Sequence, residues 1–266
     1  MTDNNLHSIQ IENEAQKQER TVSSYSNFRP LSSISYEPLL SIRNVNTFYG
    51  MIPMLIDVSL DIMKNQVCCV LGANGAGKST LVKAILNIVN AASGDMVFLG
   101  QKINNWPTHK RVAAGIQVAS SATGAFPKMT VETNLRLGAY NIKDPKLLAE
   151  RLEEVFNSFP VLKNRLQQKA GTLSGGERTM LAIARAVINK PFLLIMDEPS
   201  LGLAPIMVDE VFSVIRRLNV EENMSILLVE QNANMALSVS QSGYMIQKGR
   251  IVKGGDVSEF QNKAIM

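Results

Sequence analysis

Apolar positions in this chain alternate between two periods from about residue 39 onward, and the alternation predicts strands followed by helices. VCCVL (67–71) is a short buried strand that runs into a glycine-rich turn, and Leu81, Ile85 and Ile88 then share one helical face. DMVFLGQKI alternates around a glycine as an edge hairpin does. Leu148, Leu152, Val155 and Phe159 form a helical stripe within a stretch, about 105 to 172, that reads as a mostly helical insertion. A second stripe runs through Met180, Ile183, Ala184 and Val187, on a helix expected over 177–187. Pro191 opens the strand FLLIM, which ends in Asp197-Glu198-Pro199. A helix with Val208, Val211, Phe212 and Ile215 on one face leads to the strand SILLV, and YMIQKGRIVKGG closes as a hairpin turning at Lys248-Gly249. Strands alternating with helices imply an α/β fold on a parallel sheet, with an antiparallel β edge. Residues 1–38, rich in Asn, Gln, Ser and Glu and without periodicity, read as a disordered extension.

Composition narrows the class rather than the function. At 266 residues, 45% apolar and 19% charged, the chain has the make-up of a soluble globular protein. Its net charge of +4 is scattered, which argues against a nucleic-acid partner. No run reaches the roughly 18–20 apolar residues of a membrane span, and no apolar leader opens the chain, so it is expected to be neither secreted nor self-inserting. Cys68 and Cys69 are strand neighbours and point to opposite faces, as buried thiols rather than a disulfide.

The chemistry is concentrated at the strand ends. Gly72-Ala73-Asn74-Gly75-Ala76-Gly77-Lys78-Ser79-Thr80 fits the phosphate-binding loop G-x-x-x-x-G-K-[ST] between a strand and a helix. Glycines let backbone N–H groups close around phosphate oxygens, and the helix N-terminus adds its positive end. Lys78 suits the β- and γ-phosphates, and the Ser79 hydroxyl suits Mg²⁺. Asp197, ending a buried strand, suits the Mg²⁺ side, and Glu198 suits a base that activates the attacking water. Together they make a P-loop nucleotide site.

Leu173-Ser174-Gly175-Gly176-Glu177 is a second candidate phosphate cradle about a hundred residues later. With GANGAGKST before it and LLIMDEPSLGLAP after it, LSGGE resembles the signature of the ATP-binding subunits of ABC transporters. The resemblance spans about residue 39 to the C-terminus. It implies that two such subunits stack head to tail, with residues 173–177 capping a γ-phosphate held by the partner's glycine loop. It implies further that Tyr49 stacks on adenine, and that the helical insertion carries the signature and meets the membrane subunits. PSLGLAP, LLVEQNANMAL and MTVETNLRLGAY resemble the second ATPase subunit of branched-chain amino-acid importers. Related importers carry urea or other hydrophobic amino acids, and these motifs do not separate them. The partners implied are a second, different ATPase subunit, two transmembrane permease subunits and, indirectly, a substrate-binding protein, with this chain peripheral at the cytoplasmic face of the plasma membrane. A soluble ABC ATPase acting on DNA or ribosomes would show coiled-coil insertions or two cassettes, and the sequence has neither.

Three positions depart from the family pattern. Gln231 stands in place of the switch histidine and can donate a hydrogen bond to phosphate without carrying a proton's charge. Ser121 aligns with the glutamine that links Mg²⁺ to the membrane subunit, with Gln117 as the alternative. Ala204 replaces the aspartate of the loop after the acidic pair.

Overall fold

The computed structural model describes residues 37–120 and 124–261, so the expected disordered extension lies almost wholly outside the described residues. Strands β1 (Leu40–Tyr49) and β2 (Ile52–Ile62) pair antiparallel, followed by β3 (Val67–Leu71), helix α1 (Lys78–Ile85) and the pair β4 (Ser93–Phe98) and β5 (Gln101–Lys102). Helix α2 (Thr108–Ala113) precedes β6 (Ile116–Ser120), and the helices α3 (Val131–Gly138), α4 (Pro145–Ser158) and the single turn α5 (Pro160–Lys163) come next. Helix α6 (Gly175–Val187), β7 (Leu193–Asp197), α7 (Pro205–Val220), β8 (Ser225–Glu230) and α8 (Ala233–Val239) alternate. The hairpin β9 (Ser242–Gln247) and β10 (Arg250–Asp256) and the turn α9 (Ser258–Gln261) complete the described chain.

Two sheets result. One is antiparallel, in the order β2-β1-β4-β5; the other runs β10-β9-β3-β8-β7-β6, parallel except for β10. Alternate residues of the parallel strands feed two cores. Cys69, Leu194, Met196 and Leu228 face the helical side with α6 and α7, whereas Cys68, Leu193, Ile195 and Leu227 face α1 and the antiparallel sheet. The two cysteines therefore point to opposite faces as free thiols. Burial pushes Cys68 up to about 12 and Cys69 up to about 11, so neither is a thiolate at neutral pH.

The turn at Lys248-Gly249 has both residues at positive φ, 48° and 77°, as a two-residue hairpin demands. Three local expectations change. The stretch expected to be mostly helical from about residue 105 opens with the short helix α2 and then contains β6, which pairs with β7 in the main sheet; its remaining helices follow from Val131. IQVAS is too short for period alone to identify. Helix α1 stops at Ile85 because Asn87 turns left-handed (φ 56°), leaving Ile88 60% exposed rather than on the buried face. Phe192 is 58% exposed and stands just before β7, against Gly115, where a Cβ would approach its ring at 2.6 Å.

Candidate active site

The parallel order places the carboxyl ends of β3, β8, β7 and β6 side by side, where an open α/β sheet binds its ligand. Beyond β3 lies the glycine loop. Gly77 caps α1 at φ 113° and Gly75 lies at φ 77°, both in the left-handed region, so the loop folds back over the helix N-terminus. Gly72 has no room for a side chain, since a Cβ would stand 2.5 Å from the Ile246 carbonyl oxygen. The Gly249 N–H donates to the Ala76 carbonyl at 2.8 Å, tying the loop to the β9–β10 turn. Ala73 and Asn74 are exposed at the rim, while Thr80 on α1 is buried. Tyr49 is 42% exposed at the end of β1; its partner strand β2 brings the Met54 carbonyl and Leu55 to 3.3 Å of a Cβ at Gly77.

Lys78 is 4% exposed, and its Nζ is fully engaged. It donates to the Gly72 and Ala73 carbonyls at 2.9 and 3.1 Å and lies 3.0 Å from Glu198 Oε1. Glu198 has the left-handed backbone (φ 50°) that is strained for a residue with a side chain. Its N–H donates to the Val229 carbonyl of β8 at 2.9 Å. Asp197 is raised above the ordinary carboxylate range, chiefly by burial and then by the Glu198 charge; the Ser79 hydroxyl, Lys78 and Lys83 oppose the rise. Asp197 Oδ1 is buried and without a hydrogen-bond partner. An orphaned carboxylate oxygen beside the Ser79 hydroxyl is a hard-oxygen pair that fits Mg²⁺. Among the described residues no group of three or more His, Cys, Asp or Glu side chains could hold a metal unaided, so phosphate oxygens would complete the shell.

Residues 173–177 stand apart from this cluster. Ser174 caps α6, which begins at Gly175, two residues before the expected start, and Glu177 closes the capping box: Glu177 N–H donates to Ser174 Oγ at 3.2 Å and Ser174 N–H to Glu177 Oε2 at 2.8 Å. Arg165 ion-pairs Glu177 at 2.8 Å, and Arg178 donates to the buried Leu173's carbonyl. Gly175 and Gly176 pack against α7 and its lead-in: a Cβ on Gly176 would overlap Met207, and one on Gly175 would meet Leu203 at 3.2 Å. No hydrogen bond or ion pair among the described residues joins this loop to Lys78, Asp197 or Glu198.

Gln231 follows β8 with an exposed side chain, and its N–H donates to Glu230 Oε2 at 3.0 Å. The register separates Gln117 from the acidic pair. Ser120 pairs with Asp197, whereas Gln117 pairs with Leu194, about 10 Å down the strand at 3.3 Å per residue. Gln117 and Ser120 both line a cavity of about 260 Å³ between β6, α3 and α6, while Ser121 lies outside the described residues. Ala204 is the N-cap of α7 and makes no side-chain cap bond.

Glu230 was not singled out from sequence. It is 2% exposed, and a charge closing the wholly buried strand SILLVE repeats the pattern of LLIMD. That repetition is the signal that would have found it.

The model of the ABC transporter family matches residues 55–201. The branched-chain amino acid transport ATP-binding protein BraG of Pseudomonas aeruginosa is 42% identical over 214 residues, 80% of this chain and 91% of that protein. The probable branched-chain counterpart LivF of Archaeoglobus fulgidus is 38% identical over 81% of this chain and 91% of its own length. A solved nucleotide-free ATP-binding cassette from an ABC transporter superposes with a TM-score of 0.77 at 26% identity, covering 85% of this chain and 94% of that one.

Proposed function

The chain belongs to the ABC transporter family as an ATP-binding cassette and an ATPase, and from that premise we propose that it energises the import of branched-chain or other hydrophobic amino acids. The observation that carries the catalytic part is the convergence of Lys78, Ser79, Asp197 and Glu198 at the ends of two parallel strands. Lys78 and the N-terminus of α1 bind the β- and γ-phosphates, with Tyr49 against the adenine. Ser79 and Asp197 hold Mg²⁺, which when bound neutralises charge on the phosphates. Glu198 orients the attacking water and accepts its proton, and Gln231 donates to the γ-phosphate.

The opening formed by residues 173–177 closes only over a second cassette's ATP, so the working unit is a pair. We assign the partner cassette to a different chain. Of two permease subunits, one docks on this chain in the groove beside β6, where Val118, Leu137 and Tyr140 are exposed apolar side chains around Arg185. Among the described residues no helix is long and apolar enough to cross a membrane, in keeping with a subunit held at the cytoplasmic face by those permeases. A separate binding protein delivers the amino acid. ATP binding closes the pair and hydrolysis reopens it, a population shift driven by differential binding.

The test is mild-detergent purification of the tagged chain from its own membranes, with ATP turnover measured on what is recovered. Two hydrophobic subunits, a second LSGG-containing cassette, and turnover lost in Glu198→Gln are expected. Recovery of the chain alone from the soluble fraction would overturn the transporter reading, and undiminished turnover in the variant would remove Glu198 from its role.

A further inference from the structure

The loop that follows Glu198 and the loop that carries Gln231 face each other across a cavity of about 400 Å³, lined by Glu198, Ser200, Leu201, Glu230, Gln231 and Asn232. One buried carboxylate spans the two. Glu230 Oε1 accepts the Ser200 N–H at 3.0 Å, and Oε2 accepts the Gln231 N–H at the same distance. Ser200 is two residues beyond Glu198, and the Glu198 N–H is itself bonded to Val229, the residue before Glu230. The strained Glu198 backbone is thus anchored on both sides to the last two residues of β8: by a main-chain bond before it and by the Glu230 side chain after it.

We propose that Glu230 is a positioning residue for hydrolysis, holding Glu198 in its left-handed conformation and fixing the distance between Glu198 and Gln231. A left-handed non-glycine residue persists only where its surroundings over-determine it. A base misplaced by about 1 Å loses much of its effect. A buried carboxylate is a costly way to hold two loops, and a hydroxyl would be cheaper. Its two acceptor oxygens each take one N–H donor, from a different loop. Glu230 does not touch Lys78, so phosphate binding does not depend on it directly. The inference rests on Glu198 being the base.

The experiment compares MgATP turnover of the full-length chain, in the complex recovered with it, for wild type, Glu230→Gln, Glu230→Ala, Glu198→Gln and the double variant Glu198→Gln/Glu230→Gln. Glutamine has the same shape but sets an NH₂ against one of the two donors, so one anchor is lost and the other kept. The expected order of kcat is wild type, then Glu230→Gln, lower by about threefold to tenfold, then Glu230→Ala lower still, with KM for MgATP changing by less than about threefold. Because Glu230 acts through Glu198, the double variant should turn over no more slowly than Glu198→Gln alone. Should Glu230→Ala fail to fold, Glu230→Gln and the double variant decide alone. Wild-type kcat in Glu230→Gln, a parallel rise in KM, or a further fall in the double variant would overturn the proposal while leaving Glu198 as the base. Undiminished turnover in Glu198→Gln would overturn the reading of Glu198 and the proposal with it.

Discussion

Lys78 Nζ and Glu198 Oε1 lie 3.0 Å apart, with the lysine side chain 3% and the glutamate side chain 18% exposed. The group proposed to bind phosphate and the group proposed to activate water are thus partnered to each other. In the proposed mechanism phosphate takes Lys78 from Glu198 and so frees the carboxylate.

Glu198→Gln therefore has two opposite effects. It removes both the competitor for Lys78 and a negative charge near the γ-phosphate, so MgATP should bind about threefold to tenfold tighter, on the order of 1 kcal/mol. Turnover should fall by about 10²–10⁴-fold, the contribution of a positioned general base. Titration of both proteins with MgATP checks the first effect. An affinity equal to or weaker than wild type would show that the ion pair does not oppose binding.

Asp197 makes a prediction about pH. Its folded-state pKa is raised, so its effect on stability is favourable only at low pH, below its ordinary range near about pH 4, and is lost as pH rises through the folded value. At neutral pH the buried, partly unpartnered charge is a net cost in the nucleotide-free protein. Asp197→Asn should then raise the melting temperature at pH 7 without nucleotide, with the gain shrinking toward pH 4, while abolishing stabilisation by Mg²⁺ with ATP. Thermal melts across pH measure both; a melting temperature lowered at pH 7 would contradict the assignment.

What was legible in the sequence follows from how local each feature is. The glycine loop, the acid-terminated strand and the signature each complete their geometry within about ten residues, and their positions could be read directly. Capping by Ser174 and Glu177 is similarly local, although sequence offered it as phosphate chemistry and the structure adds a helix cap to the same residues. Features set by distant partners were hidden. The five-residue strand β6 has meaning only through its pairing with β7. Glu230 bonds Ser200, thirty residues away in sequence. Ile88 loses its buried face to a left-handed asparagine one residue before it, a local event that hydrophobic period does not encode.

Arg111 is the largest such omission. It is 1% exposed on α2, and its guanidinium donates to the carbonyls of Ala84, Ile85, Ile103, Asn104 and Trp106 at 2.7–3.1 Å. Two of these end α1, so a buried cation sits at the carboxyl end of the helix whose other end carries the phosphate loop. Desolvation lowers Arg111 to about 10, still charged at neutral pH. Arg111→Met leaves buried carbonyls unpaired and should lower unfolding free energy by about 3–5 kcal/mol. Arg111→Lys, lacking the planar fork, should recover only part of it. Denaturant unfolding of the three proteins gives the ranking, and a loss under about 1 kcal/mol for the methionine variant would mean that water replaces the guanidinium.

Ala204 offers the converse, a position where stability can be added. It caps the sixteen-residue helix α7 with φ −65° and ψ 150°, the extended geometry of an N-cap, but brings no side-chain acceptor. Ala204→Asp should supply one to the N–H of Met207, which now donates only to the Ala204 carbonyl at 2.9 Å, and should place a negative charge at the helix's positive end. The expected gain is about 0.5–2 kcal/mol, or a rise of about 1–8 °C in melting temperature for a chain of this size. Ala204→Asn separates the two contributions, since it keeps the cap and drops the charge. The aspartate should exceed the asparagine at pH 7 and match it below about pH 4, where the carboxyl is protonated. Equal melting temperatures for all three chains at pH 7 would mean that the lead-in to α7 is already held by its packing, through Leu203 against Gly175 and Met207 against Gly176, and that its first turn has no capping energy left to gain.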